Sequence, residues 1–248
     1  MNSQTPARWY NPVRWQWRRL GRGYRRFMAD ASESSTYLRE VGLKPVLKSL
    51  LGDCSSETVL DLGAGGAWLF DLVETGKAVA CDLAPALHYP AGVKYDRGDA
   101  ASLEYPSGMF DTVVCNLMLC YCADILTPLR EMARVTRPGG RLIVGLVHPH
   151  FYRTGEAGAD GSYVLSASLA QSRPMSILIG NRIGPFRYYY HPYPDYLNAM
   201  VEAGWTLRLV RDWYYDEADY RRHFPRGDSV ARSPRVPIFT FFSCVRDA

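Results

Sequence analysis

Two aspartates, separated by a glycine turn and spaced to suit a nucleotide, are the first residues of this chain that could do chemistry. Val59-Leu60-Asp61-Leu62 is an apolar run carrying one carboxylate, and Gly63-Ala64-Gly65 follows at once. Glycines at 63 and 65 let the backbone turn sharply and approach a ligand closely, which side chains would prevent. A helix predicted to start near Gly66 would offer its free N–H groups to an anion. Asp82 lies 17 residues beyond Gly65, where a carboxylate can accept both hydroxyls of a ribose. Asp99, in Arg97-Gly98-Asp99-Ala100, could hydrogen-bond an exocyclic amine, although Asp-Ala-Ala-Ser also reads as a turn or cap. Asn116 adds a further polar side chain. His148, His150 and His191 are candidate general bases, since an imidazole pKa of about 6.5 suits proton removal near neutrality.

These residues need a sheet to bring them together. Strands are predicted at 58–62, 77–82, 92–97, 110–116 and 140–147, with helices near 66–75 and 123–136. Such alternation implies an α/β fold with a doubly wound, mostly parallel sheet. Asp82, Asp99 and Asn116 then end three successive strands, at the edge where such sheets bind ligands. Pro138-Gly139-Gly140 turns the chain into the run Leu142–Val147, and His148-Pro149-His150 follows that strand. Residues 148–190 read as an insertion, glycine-dotted at first and then aromatic at Tyr188-Tyr189-Tyr190. A helix at 192–203, ended by Gly204, leads to strands at about 205–211 and 237–246, around a charged segment at 214–235. Residues 1–50 form a separate helical extension, so the expected division is 1–50 and 51–248.

Composition narrows the classes. The chain has 248 residues, 47% hydrophobic and 22% charged, with a net charge of +4, as expected of a soluble α/β domain. No run approaches the length of a membrane span, and a cytoplasmic location is expected. The six cysteines contain no Cys-x-x-Cys and read as reduced, packed thiols. Seven arginines lie between Arg8 and Arg26, before the first acid at Asp30. Interleaved with Trp9, Trp15 and Trp17, they fit either an amphipathic lid over the site or an RNA-binding arm; the lid is preferred. No metal site is expected, because the His-x-His pair has no acid beside it.

The chain resembles the class I S-adenosylmethionine-dependent methyltransferases. The resemblance rests on Asp61-Leu-Gly63-Ala-Gly65, Asp82, Gly98-Asp99-Ala100, Phe110-Asp111 and Arg134-Val-Thr-Arg-Pro138-Gly139-Gly140. It covers roughly 55–147 well and 192–246 more loosely. It implies a Rossmann-like, seven-stranded sheet with a reversed last strand and S-adenosylmethionine as cofactor, with S-adenosylhomocysteine as product. It implies that Asp61 and the backbone of Gly63, Ala64 and Gly65 hold the methionine part. Asp82 would bind the ribose and Leu83 would pack on the adenine. Asp99, beside Ala100, would meet the adenine amine, while Asn116 and Leu117 border the methionyl end. The third glycine of the usual pattern is Ala67.

A nicotinamide-dependent dehydrogenase shares the ribose acid but needs a third glycine for close helix packing, and position 68 is Trp. No Tyr-x-x-x-Lys proton relay occurs either. The acceptor is expected to be a small, partly apolar molecule of specialised metabolism, methylated on oxygen or nitrogen, with carbon not excluded. Tyr10 and Trp15 of the lid, Tyr121 after strand four and Tyr190 of the insertion are its candidate contacts. The alternative is a non-catalytic or RNA-directed protein on the same fold. The partner is thus a small molecule rather than nucleic acid or membrane, and the chain a monomer or homodimer.

Overall fold

The apolar runs assemble into one seven-stranded sheet in a computed structural model that describes residues 16–17, 38–84, 90–149, 156–157, 163–164, 171–178, 185–223 and 237–248. Its strands are β1 (Cys54–Leu62), β2 (Thr75–Asp82), β3 (Lys94–Arg97), β4 (Phe110–Asn116), β5 (Thr136–Val147), β10 (Trp205–Trp213) and β11 (Phe239–Arg246). The insertion contributes two short antiparallel pairs, β6 (Glu156–Ala157) with β7 (Tyr163–Val164) and β8 (Arg173–Leu178) with β9 (Pro185–Tyr190). The order across the large sheet is β10-β11-β5-β4-β1-β2-β3. All pairs are parallel except those of β11, which runs against both β5 and β10. The last strand is therefore the reversed one, as expected.

Both faces of the sheet are covered, which is why its central strands are apolar almost throughout. Helix α1 (Lys44–Leu51) buries Val46, Leu47 and Leu51 against Val59, Val114, Ile143 and Phe241 on one face. Helices α2 (Leu126–Val135) and α3 (Tyr193–Glu202) cover the other, where Leu129, Met132 and Met200 meet Leu60, Val113, Val144 and Phe242. The Asp124 carboxylate accepts the Leu126 and Thr127 amides at the start of α2, satisfying N–H groups the helix cannot pair itself. The Trp205 indole donates to the Leu129 carbonyl at 3.1 Å and ties β10 to α2. A fourth helix, α4 (Glu217–His223), lies within the charged stretch before β11.

The helix predicted near 66–75 does not form among these residues. Only a 3-10 turn spans Trp68–Asp71, after Ala67 at φ 55°, and β2 has begun by Thr75. A left-handed residue stops an α-helix from propagating back toward the glycine turn. The amides of Gly63 and Ala64 instead donate to the Cys81 carbonyl. The expected anion site at a helix start is therefore replaced by a turn tied to the end of β2. No helix among the described residues is long and apolar enough to cross a membrane.

Candidate active site

Asp61 occupies the middle of the sheet, one residue before the end of β1, paired with Ala80 of β2 and Val114 of β4. It is 5% exposed. Burial, and then the negative charge of Asp82, push its carboxyl up to about 7. A buried carboxylate beside a second acid is stabilised by any cation that arrives. The Gly63 turn takes φ 76°, and a Cβ there would stand 2.5 Å from the Met118 Cγ. At Gly65, with φ 53°, no atom lies within 4 Å of where a Cβ would be. The first glycine is thus required by packing from the β4 side. The second borders space that a ligand can approach.

Asp82 holds the turn from the other side. Its Oδ2 accepts the Gly65 amide at 2.9 Å and its Oδ1 the Ala84 amide at 2.8 Å, and each carboxylate oxygen has lone pairs for more than one donor. Leu83 follows it, half-buried, with its carbonyl bonded to the Arg97 guanidinium. Asp99 ends the β3 side of the crevice, where its Oδ1 accepts the Ala101 amide at 3.0 Å. Its carboxylate is therefore a turn cap, whatever else it binds. Ala100 lies beside it, packed partly on the core.

At the end of β4, Asn116 and Leu117 complete the crevice. The Asn116 Oδ1 is buried and has no hydrogen-bond partner among the described residues. Gly145 of β5 makes room for it, since a Cβ at that glycine would collide with this oxygen. Leu117 takes φ 56°, and its amide donates to the Gly145 carbonyl at 2.8 Å. A left-handed non-glycine residue is strained, and such strain clusters at functional sites. A buried carboxylate, an accepting amide oxygen and a second acid lie along one sheet edge, a set of acceptors that fits S-adenosylmethionine, which carries an ammonium, a sulfonium and a ribose.

The acceptor side is aromatic. Tyr121, after β4, packs edge-on against Trp17 of the N-terminal segment, with ring centroids 5.0 Å apart, and against Tyr188 of β9 at 5.7 Å. Gln16 clamps that segment to the insertion: the Arg187 amide donates to its Oε1, and its Nε2 donates to the Arg187 carbonyl. Tyr190 is buried, and Arg173 of β8 lies over its ring at 6.0 Å. Tyr10, Trp15 and His150 lie outside the described residues.

His148 and His191 differ in their surroundings. Both ring nitrogens of His191 are engaged, Nε2 with the Cys122 carbonyl at 2.9 Å and Nδ1 with the Ser172 hydroxyl at 2.8 Å. Ser172 in turn donates to Asp195. Burial holds the His191 pKa below its ordinary value, although Cys122, Asp195 and Asp124 oppose that shift. His148 is 4% exposed at the end of β5, fixed by its amide bond to the Ile238 carbonyl. Its Nε2 lies 3.8 Å from the Asp212 Oδ2. Sequence reading missed Asp212, because β10 is brought beside β5 only through the intervening β11. Among the described residues no group of three or more His, Cys, Asp or Glu could hold a metal ion.

Comparison with known proteins finds the same fold and a matching domain. Residues 60–144 match the family described as Methyltransferase domain. A demethylmenaquinone methyltransferase of Mycolicibacterium vanbaalenii is 43% identical over 95 residues, 36% of this chain and 41% of that protein. The chain spans less than half the length of the curated relatives it matches first. An S-adenosylmethionine-dependent methyltransferase from Mesorhizobium loti superposes with TM-score 0.62 at 20% identity, over 83% of this chain and 99% of that one. A Burkholderia thailandensis 1,6-didemethyltoxoflavin-N1-methyltransferase, solved with S-adenosylhomocysteine, gives 0.55 at 14% identity, over 92% and 88%. In its sheet order and its reversed β11 the chain shares the fold of these solved structures, and its residues 60–144 match the methyltransferase domain.

Proposed function

We propose that the chain moves the methyl group of S-adenosylmethionine to an oxygen or nitrogen of a small-molecule acceptor, releasing S-adenosylhomocysteine. The observation that carries this reading is Asp61, a buried carboxyl raised to about 7 beside Asp82 and the glycine turn. Such an arrangement is costly without a cationic ligand. When bound, the cofactor supplies an electrophilic methyl carbon on a positively charged sulfur.

The residues of the chain have separate tasks on this reading. Asp61 and the backbone of Gly63, Ala64 and Gly65 bind the methionyl ammonium end, with Asn116 and Leu117 along its border. Asp82 takes the ribose hydroxyls, Leu83 and Ala100 flank the adenine, and Asp99 accepts from its amine. Tyr121 and Tyr190, with Trp17 and Tyr188 around them, form the acceptor wall, and Tyr10 and Trp15 are further candidate contacts from the sequence. That wall aligns the nucleophile and excludes water, the main contributions available for an in-line displacement. Where the acceptor must lose a proton, His148 takes it, with His150 as the neighbouring candidate. His191, with both nitrogens already bonded, orients the insertion against the loop after β4.

Calorimetric titration with S-adenosylmethionine and S-adenosylhomocysteine, with NADH as control, tests the donor. Micromolar binding of the first two supports the reading, and binding of NADH alone refutes it. An acceptor screen then begins with planar hydroxylated aromatics, including demethylated quinones, because relatives carry that name. Methyl incorporation into RNA but into none of these would replace the small-molecule reading with the RNA-directed one.

A further inference from the structure

The pair formed by His148 and Asp212 has no role in the cofactor site, and its construction is specific. His148 follows β5 and Asp212 lies near the end of β10, with β11 between those two strands. The His148 amide is fixed by Ile238, which itself donates to the Trp213 carbonyl, so both ends of the pair hang on one backbone ladder. Asp212 sits opposite Thr240 of β11 in register. The buried Thr240 hydroxyl is 3.1 Å from the Tyr193 hydroxyl, and the Tyr193 ring lies 5.4 Å from the His148 ring at 38°. The imidazole is thus held between an aromatic ring and a carboxylate.

The Asp212 side chain is 30% exposed, and its Oδ1 is buried with no hydrogen-bond partner among the described residues. Its Oδ2 lies within ion-pair distance of the His148 Nε2 but beyond hydrogen-bond distance. That spacing gives little to a neutral imidazole and much to an imidazolium. Burial, and after it the negative charge of Asp212, hold the Tyr193 hydroxyl on α3 above its ordinary value, against the opposing hydrogen bond with Thr240.

We propose that Asp212 is the positioning acid of His148, its charge stabilising the imidazolium formed when an acceptor proton arrives. The inference rests on the reading of His148 as the base. In the step it assists, the acceptor O–H or N–H bond breaks and its proton goes to the imidazole. The electron pair left on the heteroatom forms the new bond to the methyl carbon, and the pair of the breaking C–S bond stays on sulfur. His148 then loses its proton to solvent.

The pair can be tested before any acceptor is known, by following histidine side-chain NMR signals with pH in the whole chain. The His148 resonance is assigned by its loss in His148→Gln. In Asp212→Asn the His148 pKa should fall by about one unit or more, while the affinity for S-adenosylmethionine stays within about twofold. Asp212→Glu should restore part of the shift, and it carries the same test if the asparagine variant does not fold. With an acceptor in hand, Asp212→Asn should lower kcat by roughly tenfold or more with little change in acceptor KM. An unmoved His148 titration in Asp212→Asn overturns the proposal. A moved titration together with full turnover in His148→Gln would instead sink the base reading, and the positioning role with it.

Discussion

Replacing Asp61 by Asn should remove the protein's own contribution to the pH dependence of cofactor binding, leaving only that of the ligand. The folded Asp61 carboxyl has been raised from 3.8 to about 7 by burial and by Asp82. A cationic ligand binds the ionised form, so apparent affinity scales with the ionised fraction. That fraction is about nine-tenths at pH 8 and about one-tenth at pH 6, a nearly tenfold weakening, or about 1.4 kcal/mol. The ligand's own amino group titrates too, with a pKa of about 8. The ratio of dissociation constants for the two proteins at each pH cancels that contribution. Calorimetry in buffers of differing ionisation enthalpy should also find about half a proton released on binding at pH 7, and the Asn variant should lack that contribution. Stability must move the opposite way. A carboxyl raised in the folded state stabilises fully below its unfolded pKa near 4, and the contribution is lost as pH rises through 7. The shift corresponds to about 4 kcal/mol as an upper bound. Asp61→Asn should therefore melt higher than the unaltered protein at pH 8 and nearly level with it at pH 4. A ratio of the two dissociation constants that stays flat from pH 6 to 8 would refute the reasoning.

Other substitutions address the frame around that carboxylate. Gly63→Val meets both a positive φ and Met118, so cofactor binding should be abolished with a stability loss of about 2 kcal/mol or more, read by calorimetry and thermal melting. Gly145→Ala should displace Asn116, weakening cofactor binding several-fold; an unchanged dissociation constant would remove Asn116 from the site. Gln16→Ala loses both bonds to the Arg187 backbone. It should expose the N-terminal segment to limited proteolysis at a stability cost of about 1 kcal/mol, and an unchanged cleavage rate would count against the clamp. Trp205→Phe keeps most of the packing but leaves the Leu129 carbonyl without its indole donor, and should cost about 1–3 kcal/mol in denaturant melts while cofactor affinity holds.

Much of this protein was legible in its residue order because the relevant signals are local. A strand, a carboxylate and a glycine turn within seven consecutive positions, Val59 to Gly65, mark the candidate cofactor loop, since backbone geometry is decided by near neighbours. The repeated alternation of apolar runs with amphipathic stretches points to the parallel sheet, whereas the reversed end strand followed only from the family resemblance. Local pattern failed at 66–75, where helical spacing was present but Ala67 adopts a left-handed conformation and the chain turns into β2. The raised pKa of Asp61 could not be read from sequence, because desolvation depends on what the other strands bury around it. Nor could the meeting of Asp212 with His148, or of Gln16 with Arg187. Those residues are far apart in the chain, and only the order of strands in the sheet and the docking of the insertion set the distances that decide their electrostatics and hydrogen bonding.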